Sequence, residues 1–339
     1  MKKFLVLLLL VLCVGAAGFV SARQELQTPY SAAPANYILE IPHGVGARQV
    51  VGLLEDGKVI RNRYVALGYI WFSGFRHKLQ AGEYLFDRPL TPVEVITRIV
   101  KGNVYLHKFT VPEGLTLGET AEKWKAQGFG TAEDFTNAAR ESASLVRDLD
   151  PESASVEGYL FPETYSFPRR TPAKQAIDAM VARFKSVLQQ VEKEVPREAW
   201  PLGVRETVIL ASLIESEAAH ADERPVVASV YLNRLTRRIL LQCDPTVIYA
   251  LELEGRYKGR LTLADLKFPS PYNTYVTPGL PPGPIMNPGY ASLRAAVQPA
   301  ASKYIFFVRT VDGKHTFSET LAAHNRAVAA YRLLQRKKS

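Results

Sequence analysis

Residues 209–235 read ILASLIESEAAHADERPVVASVYLNRL. The first part is apolar on every side, as in a helix buried inside a helical domain. Yet it carries Glu215 and Glu217, with no basic residue closer than Arg224 on one side and Arg205 on the other. At about 100° per residue the two carboxylates point roughly 200° apart, so they do not form a pair on one face. Glu215 falls on the stripe of Val208, Ala211 and Ser212, and Glu217 on that of Leu210, Leu213 and Ile214. Both stripes are apolar, and spacing does not choose between them. A carboxyl group among apolar side chains is harder to ionise, and one still protonated near neutral pH is a competent general acid. The competing reading pairs both glutamates with arginines such as Arg224 or Arg234.

Outward from this helix, 339 residues with 47% hydrophobic content suffice for two domains. A formal charge of +9 favours polyanionic partners. No zinc-finger, RNA-recognition or helix-turn-helix signature is present, which argues against nucleic acid. Cys13 and Cys243 are the two cysteines, too few for a disulfide framework or a cysteine-rich zinc site. The N-terminus has Lys2 and Lys3, an uncharged run from Phe4 to Val20, then Val20-Ser21-Ala22. The run has about the length a membrane-spanning helix needs and also suits a secretory signal peptide. A retained anchor over residues 1–22 is the favoured reading, with the lysines cytoplasmic and the remainder exported. Leu12 precedes Cys13 where a lipoprotein signal wants a small residue.

Residues 23–36 have a linker's composition. Val111-Pro112-Glu113-Gly114 then echoes Ile41-Pro42-His43-Gly44, each copy leading from a short strand into an amphipathic helix. Between the copies lie a helical segment in YVALGYIWFSGF, a strand over Leu79–Phe86 and a helix opening on Thr91-Pro92. Residues 37–110 thus read as a small α+β module, either plain scaffold or a carbohydrate-binding module of the LysM type. From residue 111 on, helical periodicity dominates. In SVEGYLFPETYSFP (155–168), Tyr159, Phe161, Tyr165 and Phe167 crowd Glu157 and Glu163, a composition shared by sugar clefts and buried loops. LLQCDPTVIYAL (240–251), SPYNTYVTPGLPPGPIMNPG (270–289) and HTFSETLAAHNRAV (315–328) are irregular segments of the kind that carry binding residues. His220, His315 and His324 lack metal-ligand spacing, and neither a nucleophile elbow nor a phosphate loop occurs. No metal or cofactor is expected.

EGYLFPETY (157–165), LASLIESEA (210–218), VASVYLNRL (227–235), LQCDPTVIYAL (241–251) and the 270–289 segment, in this order, resemble the YceG-like family of endolytic murein transglycosylases. The resemblance covers residue 37 to the C-terminus. It implies an α+β protein with an N-terminal membrane helix, the LysM-like module, and a mainly helical catalytic domain over 111–339 with irregular loops and short strands. The implied reaction cleaves the bond between N-acetylmuramic acid and N-acetylglucosamine without water, leaving a 1,6-anhydro end. The resemblance assigns the acid to Glu215, with Glu217 supporting the site or a neighbouring arginine. Glu157, Tyr159, Gln242, Asp244, Tyr272, Asn273 and Tyr275 are the expected glycan contacts. Cys243 stands where a hydroxyl residue is expected, and Ser216 where a basic one is. An inner-membrane location, a periplasmic catalytic domain, peptidoglycan strands as substrate and peptidoglycan synthases as partners are further implications. A non-catalytic peptidoglycan-binding protein and a synthase scaffold are the rival readings.

Overall fold

The computed structural model describes residues 2–218, 220–310 and 313–336. The chain forms two compact units, Met1–Lys108 with Ser166–Arg170, and Phe109–Tyr165 with Thr171–Ser339.

The first unit opens with helix α1, Lys2–Gln27. Among the described residues this is the one helix long and apolar enough to cross a membrane, with a mean hydropathy of 2.8. It runs through Arg23–Gln27, a segment expected to be linker, because no glycine or proline occurs between Phe19 and Thr28. Strand β1 (Tyr37–Ile41), helices α2 (Ala47–Asp56) and α3 (Arg63–Phe72) and strand β2 (Gly82–Phe86) follow, then helix α4 (Pro92–Val100). β1 and β2 pair antiparallel with Leu39 opposite Tyr84. Alternation buries Leu39, Ile41, Tyr84 and Phe86 on one sheet face. Val50 and Leu54 of α2, Ile70 of α3 and Val95, Ile96 and Ile99 of α4 complete that core. α4 starts where Thr91 and Glu94 close a capping box with Pro92 in the first turn. After α1 the unit is therefore strand, helix, helix, strand, with one further helix, α4, appended.

The chain passes between units at strands β3 (His107–Thr110) and β4 (Thr164–Phe167), which pair with each other. The second unit is mainly helical: α5 (Leu117–Ala126), α6 (Ala132–Glu141), α7 (Ala173–Glu194), α8 (Val204–Glu217), α9 (Arg224–Thr236), α10 (Asp244–Leu253), α11 (Tyr290–Val297) and α12 (Leu321–Arg336). A hairpin of β5 (Phe306–Arg309) and β6 (His315–Ser318) precedes α12. Residues 209–235 thus become α8, a connection and α9. Every residue from Thr207 to Ile214 is buried, and α9, α10 and α11 all pack on α8. The apolar helix read from the sequence is the centre of this unit.

The echo in the sequence is real in the backbone. Gly44 and Gly114 take φ of 80° and 79°, left-handed values that only glycine adopts freely. Each turn feeds a helix, α2 or α5.

Candidate active site

Glu215 and Glu217 occupy the last turn of α8, where the helix dipole disfavours an anion, and they face opposite ways. Glu215 points inward, with a side chain 6% exposed. Its Oε2 accepts the Gly289 N–H at 2.9 Å and its Oε1 accepts Arg224 Nη2 at 3.2 Å. Arg224 also donates from Nε to Ser292 Oγ at 3.1 Å, and its Nη2 lies 3.9 Å from Glu113. Glu215 therefore ties the end of α8 to the starts of α9 and α11. This is the arginine pairing that the sequence left open, realised for one of the two glutamates. Both carboxylate oxygens are engaged inside the protein.

Glu113, from the second Pro-x-Gly turn, joins this cluster. Burial, then the negative charge of Glu215, raises its pKa, while Arg224 acts the other way. Its carboxylate lies flat on Gly289, where a Cβ would come within 1.8 Å of it. The buried amide of Asn287 holds the surrounding loops by donating to the Leu115 carbonyl at 2.7 Å and accepting the Leu160 N–H at 3.0 Å. Ser212 Oγ accepts the Ile285 N–H at 3.2 Å, which fixes the same loop to α8.

Glu217 points the other way, into a cleft of about 340 Å³ lined by Ser216, Gln242, Asp244, Tyr275, Arg309 and His315 among others. Burial, then the nearby charge of Asp244, pushes its pKa up to about 7. The Cys243 thiol, which donates to its Oε1 at 3.6 Å, and the Arg309 charge pull in the opposite direction. A carboxyl group open to a cleft and poised near neutrality is suited to giving and taking a proton.

One buried guanidinium shapes the cleft walls. Arg234 of α9 donates to the carbonyls of Leu240 (3.0 Å), Leu241 (2.9 Å) and Ile305 (2.6 Å), and to Gln242 Oε1 at 3.3 Å. Gln242 has a left-handed φ of 50°, held by its N–H donating to the Thr274 carbonyl at 3.1 Å. Asp244 accepts the Tyr275 hydroxyl. The Tyr275 N–H in turn donates to Asn273 Oδ1 at 2.9 Å.

Of the expected glycan contacts, Gln242, Asp244 and Tyr275 come together around Glu217. Tyr159 and Asn273 are fully buried and cannot touch a ligand as they stand. Tyr159 donates its hydroxyl to Asp150 at 3.1 Å, and Asn273 spends its amide on the Leu266 and Phe268 carbonyls. Tyr272 is half-buried and packs on Tyr249, ring centroids 5.0 Å apart. Neither the spacing nor the composition of 155–168 distinguished a buried aromatic loop from a cleft; residues 156–162 prove to be buried, while Glu163, Thr164 and Ser166 are exposed.

Glu157 also lies away from Glu217. It accepts the Leu117 N–H at 2.9 Å, at the start of α5, and the Tyr249 hydroxyl at 3.2 Å. Burial pushes its pKa up to about 8, against those hydrogen bonds. The folded state therefore keeps a proton that the unfolded chain has lost above its ordinary pKa near 4.5. Stability is at its fullest below that value and declines as pH rises toward about 8. The unfolding temperature is expected to fall between pH 5 and pH 8, and Glu157→Gln to flatten that fall in a thermal scan.

Sequence reasoning passed over Glu113, Arg309 and His315. Glu113 was marked only by its place in the repeated turn. His315 was visible in HTFSETLAAHNRAV, yet its nearness to Glu217 depends on the β5–β6 hairpin closing over the end of α8.

The chain is similar to several known proteins. The model of the YceG-like family matches residues 39–330. The chain is 31% identical over 335 residues to the endolytic murein transglycosylase of Bacillus subtilis (strain 168), covering 94% of this chain and 91% of the relative. It is 28% identical over 361 residues to the endolytic murein transglycosylase of Streptococcus pneumoniae serotype 2, covering 97% of this chain but 64% of that longer protein. A crystal structure of a YceG-like protein from Listeria monocytogenes superposes with a TM-score of 0.59 at 32% identity, covering 86% of this chain and 98% of the other.

Proposed function

As this chain belongs to the YceG-like family, we propose that it is an endolytic peptidoglycan lytic transglycosylase with Glu217 as its acid and base. The observation that carries the assignment is the cleft. Glu217 opens into it with a pKa raised to about 7, beside Gln242, Asp244 and Tyr275. Glu215, the residue that family resemblance first suggested, has both oxygens bonded within the protein.

Protonated Glu217 gives its proton to the oxygen between N-acetylmuramic acid and N-acetylglucosamine as the bond to C1 breaks. Positive charge then builds on the muramic ring, as in other glycosidic cleavages, and the Asp244 carboxylate beside Glu217 stabilises it. The Glu217 carboxylate next takes the proton of the C6 hydroxyl as that oxygen closes on C1. A 1,6-anhydro ring forms, no water is consumed, and the acid is regenerated. Because the nucleophile belongs to the substrate, one carboxyl group completes the cycle.

The test is mass spectrometry of uncrosslinked glycan strands digested by the full chain. New 1,6-anhydro ends are the expected product. Reducing ends would make the enzyme a hydrolase, and strands bound but uncut would leave a binding or scaffolding protein. The acid must be protonated in the free enzyme, so kcat/KM is expected to hold below about pH 7 and to fall about tenfold per unit above it. A profile flat to pH 9 would contradict the assignment.

The strand-helix-helix-strand arrangement of the first unit supports its reading as a LysM-like, glycan-holding module. α1 is a candidate membrane anchor. We infer that it is retained in the inner membrane, that the second unit works in the periplasm on nascent strands, and that peptidoglycan synthases act beside it.

A further inference from the structure

Next to Glu217 the cleft wall carries a second built feature. His315, at the start of β6, lines the cleft, and its side chain is 3% exposed. Behind it lies Glu223, also buried, at 9%. Glu223 Oε1 accepts the His315 backbone N–H at 2.8 Å, and its Oε2 lies 2.8 Å from Nδ1. A carboxylate can only accept, so the ring proton sits on Nδ1. Phe307 packs edge-on against the ring, centroids 5.2 Å apart, and Phe317 tilts against it. The imidazole is thus locked in tautomer and orientation. Nε2 has no partner among the described residues and is not among the buried unpaired atoms, so it opens on the cleft.

A buried carboxylate fixing one nitrogen of an imidazole, while the other faces a ligand space, is the usual way to set which atom a histidine offers. His315 spends Nδ1 on Glu223 and leaves Nε2 to the cleft. Resting on the reading of the Glu217 cleft as the active site, we propose that His315 is a substrate-contact residue whose Nε2 lone pair accepts a hydroxyl of the glycan strand, and that Glu223 is the positioning residue that holds it. The ligand class is a polyhydroxylated sugar chain, since a ring whose Nδ1 proton is committed to Glu223 presents its Nε2 lone pair to an O–H donor. The proposal requires no proton to leave Nδ1, so Glu217 remains the sole acid and base.

Two amide substitutions separate the halves of the ring. His315→Asn keeps a donor near the Nδ1 position for Glu223 and removes the cleft acceptor. His315→Gln places an acceptor near Nε2 and loosens the contact to Glu223. With the full chain and uncrosslinked strands, the Asn variant is expected to unfold at the wild-type temperature while kcat/KM drops about tenfold, the scale of one lost hydrogen bond. The Gln variant is expected to recover most of that activity at lower thermal stability. An Asn variant that folds normally and cleaves within twofold of wild type overturns the proposal. So does an Asn variant whose loss merely parallels its loss of stability. Glu217→Gln run alongside separates the two readings. If it is inert while His315→Asn is unaffected, only the histidine proposal fails. If Glu217→Gln cleaves normally, the cleft is not the active site and the histidine proposal falls with it.

Discussion

Replacing Glu217 by glutamine is expected to abolish the formation of anhydro ends while leaving the fold and strand binding intact. Glutamine preserves the shape of the side chain and cannot cycle a proton. General acid–base groups contribute about 10²–10⁴-fold, and here one group serves both halves of the reaction, so a loss at the upper end of that range is expected. Glu215→Gln is the informative partner. Its amide oxygen can still accept the Gly289 N–H that now reaches Oε2, so cleavage is expected to fall by no more than about tenfold and the melting temperature to drop instead. Quantifying products by mass spectrometry beside a thermal scan for each variant decides the matter. Were Glu215→Gln dead and stable while Glu217→Gln remained active, the acid would be Glu215.

The second large effect is one of stability. Arg224→Met removes the guanidinium that binds Glu215 Oε1 and Ser292 and leaves a carboxylate 6% exposed without its counter-charge. Breaking a buried ion pair from one side costs about 3–5 kcal/mol, because the remaining charge stays desolvated. The loss is expected to appear as a lower denaturant midpoint for the full chain in detergent. Adding Glu215→Gln to Arg224→Met is expected to restore a good part of it, since the orphaned charge is then gone. If the double variant were as unstable as the sum of the singles, the two residues would not be coupled.

The two results bear on one geometric point. α8 ends on a turn with one face bolted to α9 and α11 and the other open to the cleft. The bolt is what holds Glu217 in place, so Glu215 can matter for activity without touching substrate.

Much of this was legible in the residues. The apolar character of 207–214 required a buried helix, since such a surface is stable only when covered on all sides, and that helix is the centre of the second unit. The 200° separation of Glu215 and Glu217 follows from helical pitch alone, and the structure keeps it. The Pro-x-Gly echo marked two equivalent turns, and the ordered family motifs gave the activity. Gln242, Asp244 and Tyr275, expected as glycan contacts, line the same cleft as Glu217.

What the sequence could not decide was which glutamate meets the cleft. Both stripes of α8 are apolar, and the outcome depends on contacts made outside the helix, from Arg224 and Cys243 and from segments much farther along the chain. Gly289 and Ser292 arrive on one side with α11, and Arg309 and His315 on the other with the β5–β6 hairpin. Local periodicity carries no information about such partners. For the same reason the aromatic run at 155–168 could not be told from a sugar cleft, and Glu113 and the Glu223–His315 pair went unseen. Helix identity and facing are set by neighbours in the chain. Which face is sealed by an ion pair, and which is left open to the cleft, is set by packing outside the helix, and only the tertiary structure decides it.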